Sequence, residues 1–286
     1  MIGNCLAFHC KAESSLADNS LMQLYSRIIG TGPPVIILHG LFGSSDNWAT
    51  IGNGLAEHGF CVHLLDLRNH GLSPHTDTHR YPDMCDDLLS YLDHNNLETA
   101  NIIGHSMGGK VAMTFGLLDP ERITKLVIVD IAPSDYRHPE NIFHSNVINA
   151  LLKIDLKEHT SRLTIREDLK AMLSDHDLVM FLSKNIGRDK DSNSFRWKLN
   201  LPVLLKFHQH LSIGLEELQI YAPCPVPTLF VKGNDSPYYL AEHEADRLNF
   251  FQDSRIVGID DAGHWVHSDQ PEIFFEIVSR FLCSEH

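Results

Sequence analysis

Six short, almost wholly apolar and often β-branched runs recur along the chain, at residues 35–38, 61–65, 100–103, 126–129, 228–231 and 255–259. Most of the intervals between them read as helices. A strand with a solvated face alternates apolar and polar residues, whereas a run that stays apolar is buried on both sides. Such runs alternating with helices therefore predict a mostly parallel central sheet flanked by helices, an α/β fold. Residues 22–29 alternate more loosely and lead into Gly30-Thr31-Gly32-Pro33-Pro34, which predicts an antiparallel edge strand turning into the first parallel one.

One interval breaks the rhythm. Between Asp130 and Thr228 no comparable run occurs. Instead Ile142, Val147, Ile148, Leu151 and Leu152, and then Leu163, Ile165, Leu169, Met172 and Leu173, fall largely at the three- and four-residue spacings of an apolar helix face. A helical insertion over residues 134–220 is expected, with core segments at 22–133 and 221–286. The polar tract 187–194 reads as an exposed hairpin or loop within it.

With 43% hydrophobic residues in a chain of 286, a full-sized core forms without disulfides or metal. The net charge of −14 and the lack of a basic patch exclude nucleic acid and anionic membrane surfaces as natural partners. The stretch 218–231 is fourteen residues long and carries three prolines, too short and broken to span a bilayer. Residues 1–21 contain Glu13 and Asp18 and lack both a basic start and an apolar run. They read as a polar, poorly ordered leader rather than a presequence, with Met22 as an alternative start. Six scattered cysteines without a C-x-x-C pair read as reduced thiols in a cytoplasm, and no H-E-x-x-H helix marks a metal site, so neither metal nor cofactor is expected. Nothing in the sequence fixes an oligomeric state.

Gly104-His105-Ser106-Met107-Gly108 satisfies G-x-S-x-G directly between a strand and the helical run 110–117. Flanking glycines allow a tight strand-to-helix turn that lifts the serine hydroxyl out of the sheet. A nucleophilic serine needs a base, and an acid to orient that base. His264, in Asp261-Ala262-Gly263-His264-Trp265 after the last strand, is the candidate base, preferred over His267 nearer the final helix. For the acid, Asp130 and Asp235 both follow strands between Ser106 and His264. Asp130 follows its strand without a spacer, and chain geometry favours it only slightly. Oxyanion stabilisation needs two backbone N–H groups, which Met107 and Leu41 supply, with Phe42 as the alternative to Leu41 and its ring as lining of the acyl pocket. Arg68, Asn69, His70, His39 and His105 read as scaffold.

These motifs, with His39-Gly40-Leu41-Phe42-Gly43-Ser44, Asp66-Leu67-Arg68-Asn69-His70-Gly71-Leu72-Ser73, Asp130-Ile131-Ala132-Pro133 and Gly263-His264-Trp265-Val266-His267, resemble the α/β-hydrolase superfamily over roughly residues 22–283. The resemblance is closest to YbfF-type bacterial esterases and their eukaryotic α/β-hydrolase-domain relatives. It implies a four-helix-like cap, a triad acid at Asp130, and hydrolysis of short-to-medium acyl esters or thioesters by an acyl-enzyme route. The turn at Asp235 departs from the similar enzymes, which tend to carry Asn there. A serine carboxylesterase acting on a small acyl ester or thioester is the expectation. A cofactor-free perhydrolase, a C–C hydrolase and a catalytically silent receptor are the alternatives.

Overall fold

The computed structural model describes residues 22–138, 142–189, 191–220 and 222–284. The expected polar leader, 1–21, lies outside them. The chain begins with β1 (Ser26–Ile29) and β2 (Pro34–Leu38), followed by α1 (Ala49–Glu57), β3 (Cys61–Leu65), α2 (Tyr81–His94), β4 (Ala100–His105), α3 (Met107–Leu118) and β5 (Ile123–Val129). An insertion follows, with α4 (Phe143–Leu152), α5 (Arg162–Met172), α6 (His176–Ser183), the short strands β6 (Ile186–Arg188) and β7 (Phe195–Trp197), and α7 (Leu201–Phe207). The chain closes with β8 (Thr228–Gly233), α8 (Glu244–Phe250), β9 (Ser254–Ile259), α9 (Val266–Asp269) and α10 (Pro271–Cys283).

Seven strands form one sheet in the order β1-β3-β2-β4-β5-β8-β9. Every pair is parallel except β1 with β3, so the loosely alternating run is an antiparallel edge strand. Successive residues of a strand point to opposite faces. Ile36, Leu38, Ile102, Ile128 and Phe230 pack with α2 and α3, while Ile37, Leu64, Ile103, Val127 and Val231 pack with α1 and α10. Both faces are covered, which is why the strands read as continuous apolar runs. Burying each of these side chains contributes about 1.5–3 kcal/mol relative to exposure.

A third apolar cluster belongs to the insertion and runs from Val147 through Ile165, Leu169, Leu182 and Ile186 to Leu204. Its fourth and fifth elements are the antiparallel hairpin β6–β7, joined across the polar tract by Asp189 N–H donating to Ser194 O at 2.8 Å. Leu211, Ile213, Leu215 and Leu218 pack instead with the core around Val111. Lys110, on α3, is 1% exposed and its Nζ donates to the carbonyls of Pro133 (3.1 Å), Ser134 (2.6 Å) and Ile213 (2.8 Å). These carbonyls lie where the chain leaves the core for the insertion and where it returns. Among the described residues no helix is long and apolar enough to cross a membrane.

Candidate active site

Parallel strands share one C-terminal edge, and the loops leaving that edge after β2, β4, β5, β8 and β9 carry every candidate residue. Ser106 N–H donates to Val129 O at 3.0 Å and Asp130 N–H to Val231 O at 2.8 Å, so both residues are fixed by extensions of the strand ladders. Ser106 stands at φ 53° and ψ −116°, a conformation costing on the order of 1–3 kcal/mol. The two glycines of the motif permit it. A Cβ on Gly104 would sit 2.3 Å from Gly108 O, and one on Gly108 would sit 2.4 Å from Leu38 O.

His264 Nδ1 lies 2.7 Å from Asp130 Oδ2, and the Asp130 side chain is fully buried. Gly233 N–H donates to Asp130 Oδ1 at 3.1 Å, and the Ser236 hydroxyl donates to Oδ2. Three donors thus converge on one carboxylate. Asp235 is exposed, its N–H bonded to Ala262 O at 3.0 Å, and its carboxylate takes no part in this network. Tyr238 stacks on the His264 ring with centroids 3.9 Å apart and planes at 23°. His105 Nε2–H donates to His264 O at 2.8 Å, which fixes the loop that carries His264.

The loop after β2 is held from behind. Asp66 accepts from Ser45 N–H at 2.6 Å and Leu72 N–H at 2.7 Å, and His39 Nε2 accepts from Leu67 N–H at 3.0 Å. Arg68 clamps Asp87 through Nε (2.6 Å) and Nη2 (2.8 Å), the buried scaffold role expected of it. Burial pushes the His70 pKa well down, so its ring is neutral and its Nε2 accepts from Phe42 N–H at 3.3 Å. Phe42 N–H is therefore engaged, while among the described residues no such bond occupies the N–H groups of Leu41 and Met107. Phe42 itself, at φ 63°, packs into the insertion's apolar cluster, and Asn185 Nδ2 donates to its carbonyl at 2.7 Å.

A cavity of about 600 Å³ joins these parts, bordered by Ser106, His264, Leu41 and Phe42 from the core and by Phe143, His144 and Phe181 from the insertion. His267 is buried in a parallel stack on Trp48, with centroids 3.9 Å apart, and burial lowers its pKa to about 3. That ring packs against His105, while the bond to Asp130 is made by His264. His75 and His79 stand four residues apart on a loop, not on a helix, so they do not form a paired ligand face. Sequence reasoning missed Ser236, Tyr238 and His144. Ser236 had a signal, because it lies on the same post-strand turn as Asp235.

A family model described as the alpha/beta hydrolase fold matches residues 33–271. The chain belongs to the α/β-hydrolase family. This α/β-hydrolase is 36% identical over 258 residues to the sn-1-specific diacylglycerol lipase ABHD11 of Xenopus laevis, covering 88% of this chain and 80% of that protein. It is 35% identical over 251 residues to Esterase YbfF of Escherichia coli, covering 87% and 92% respectively. A solved marine microorganism esterase superposes with a TM-score of 0.87 at 41% identity, covering 91% of this chain and 99% of that one.

Proposed function

We propose that this α/β-hydrolase is a serine hydrolase of carboxylic esters, with Ser106 as nucleophile, His264 as general base and acid, and Asp130 as the residue that orients His264. The observation that carries the reading is the 2.7 Å bond between His264 Nδ1 and the buried Asp130, made beside the cavity that Ser106 borders. With Nδ1–H given to Asp130, Nε2 holds the lone pair and takes the Ser106 proton as Oγ adds to the ester carbonyl. The oxyanion that forms is met by the N–H groups of Leu41 and Met107, each worth about 2.7–4 kcal/mol in sites of this kind. His264 then passes the proton to the departing alkoxide. Water repeats the cycle on the acyl-enzyme, releasing the acid and restoring Ser106. No cofactor enters this sequence.

The insertion, residues 134–220, serves as a cap over the strand ends, and Phe42 with Phe143 and Phe181 forms the wall against an acyl chain. A roofed cavity of about 600 Å³ suits short-to-medium acyl esters, and the same chemistry acts on thioesters. The relatives named esterase and lipase support ester bonds as the target. Among the described residues Cys61, Cys85, Cys224 and Cys283 form no disulfide with one another, which fits a reducing, cytoplasmic setting.

The test is labelling with a fluorophosphonate probe, followed by turnover of a p-nitrophenyl acyl series. The wild-type chain should label and turn over, and Ser106→Ala should lose labelling and about 10⁶ in kcat. More than a few per cent residual activity in that variant would overturn the nucleophile assignment. A wild-type chain that neither labels nor turns over would be a silent receptor.

A further inference from the structure

Of the imidazoles besides His264 that border the cavity, His144 is the one carried by the insertion. It is the second residue of α4. Its Nε2 lies 3.5 Å from the Tyr238 hydroxyl, and its ring meets those of Phe42 and Phe143 edge-on, with centroids 6.4 and 5.6 Å away. Burial lowers its pKa to about 4, so the ring is neutral at neutral pH and carries a single N–H. The largely buried phenol of Tyr238 needs an acceptor, and Nε2 supplies it. The proton of His144 then resides on Nδ1, which has no protein partner among the described residues.

The geometry also says which part of a substrate meets this N–H. Ser106 with Leu41 and Met107 fixes the carbonyl, and the leaving oxygen faces His264, which must protonate it. A separate nook of about 20 Å³, room for about one water, is bordered by Leu41, Ser106, Met107, Tyr136, His144 and Tyr238, and not by His264. Because Ser106 and His144 both border this nook, the imidazole stands near the first atoms of an acyl group on Ser106, while the rest of a longer chain lies in the larger cavity. Of the other polar side chains that border the nook, Tyr81, Lys110 and Tyr136 already donate to protein carbonyls.

We propose that His144 is a specificity-determining residue whose Nδ1–H selects acyl groups carrying an acceptor oxygen close to the ester carbonyl, such as an ether, keto or hydroxyl oxygen. The proposal rests on the reading of Ser106 as nucleophile. A plain alkyl chain covers the imidazole N–H without offering it a partner, and an oxygen at the same place satisfies it.

The experiment compares p-nitrophenyl methoxyacetate with butanoate, and 3-methoxypropanoate with pentanoate, pairs in which one methylene is exchanged for oxygen. Each kcat/KM is divided by the rate of the same ester with hydroxide, which removes its intrinsic reactivity. The wild-type chain should favour the oxygen-bearing ester of at least one pair by about fivefold to tenfold, the worth of one hydrogen bond. His144→Phe should lower that ratio by about tenfold. His144→Gln, which keeps an N–H donor, should hold the ratio within about threefold of wild type. An unchanged ratio in His144→Phe overturns the proposal, and so does a wild-type ratio of one or less in both pairs, which needs no variant to fold. A chain that labels with fluorophosphonate and hydrolyses the plain esters without preference overturns this inference alone. One that neither labels nor hydrolyses any of the four overturns the Ser106 reading and this inference with it.

Discussion

Replacing Asp130 by Asn changes one oxygen into an NH2 group at a site where three donors converge. Gly233 N–H is fixed by the backbone at 3.1 Å from Oδ1, whereas the Ser236 hydroxyl near Oδ2 can rotate and accept instead of donate. The amide oxygen of the variant therefore takes the Gly233 side, because two donors facing each other in a buried site cost about 1–3 kcal/mol. That leaves the amide NH2 against His264 Nδ1, which must become an acceptor. The ring proton moves to Nε2, the nitrogen needed to receive the Ser106 proton. Loss of the working tautomer costs on the order of 10⁴ in kcat, or about 5.4 kcal/mol at 1.36 kcal/mol per decade. Asp235, exposed and outside the network, should tolerate the same change to Asn within about tenfold. The assay is kcat for p-nitrophenyl butanoate in both variants, with circular dichroism and thermal melts to show that each is folded. The reasoning is refuted if folded Asp130→Asn keeps more than about 1% of wild-type kcat, or if the two variants rank the other way.

The proposed cap sets a second expectation. Rates should climb from acetyl to butanoyl or hexanoyl esters, by up to about fourfold per methylene at 0.8 kcal/mol each, and then drop, with emulsified triolein a poor substrate. Activity on triolein above that on p-nitrophenyl butanoate would replace an esterase by a lipase. A third concerns acid stability. Burial holds His79 and His267 at about 3 and His144 at about 4, against an ordinary 6.5. The fold keeps these rings neutral, and below pH 6.5 the unfolded chain binds protons that the fold refuses. Their contribution is complete above that pH and is lost as the pH falls toward 4, by about 2 kcal/mol for each histidine at pH 5. Urea unfolding at pH 7 and 5 measures the difference, and His267→Phe, which retains a ring over Trp48, should reduce it by about 2 kcal/mol. Equal unfolding free energies at the two pH values would contradict the assignment.

The strands were legible because a parallel strand buried on both faces has no polar phase: Ile36 and Ile37 face different helices and both must be apolar. Ser106 was legible from the turn, since glycines that let Gly104 pass under Gly108 leave a mark in any sequence. The acid was not. Asp130 and Asp235 both follow strands that are neighbours in the sheet, and what separates them is the direction each side chain leaves the rim, set at Asp130 by a φ of 50°. Choosing between Leu41 and Phe42 as oxyanion donor depends on His70, twenty-eight residues from Phe42 in sequence, engaging one of the two N–H groups. Tyr238 and His144 carry no periodic signal, because each sits where a loop or helix end meets the cavity rather than on a repeating apolar face.

Lys110 gives the insertion a property of its own. Its departure and return are gathered on a single ammonium group, which belongs to the helix that Ser106 introduces. The entropy of closing a chain segment grows only with the logarithm of its length, about 0.6 kcal/mol per doubling. A core that already fixes both ends is nearly indifferent to what is strung between them. Substrate preference and hydrolytic chemistry can then diverge at different rates within a lineage. With residues 134–220 proposed as a cap, a transplant between Ser134 and Ile213 should reshape the pocket while Ser106, Asp130 and His264 keep their places.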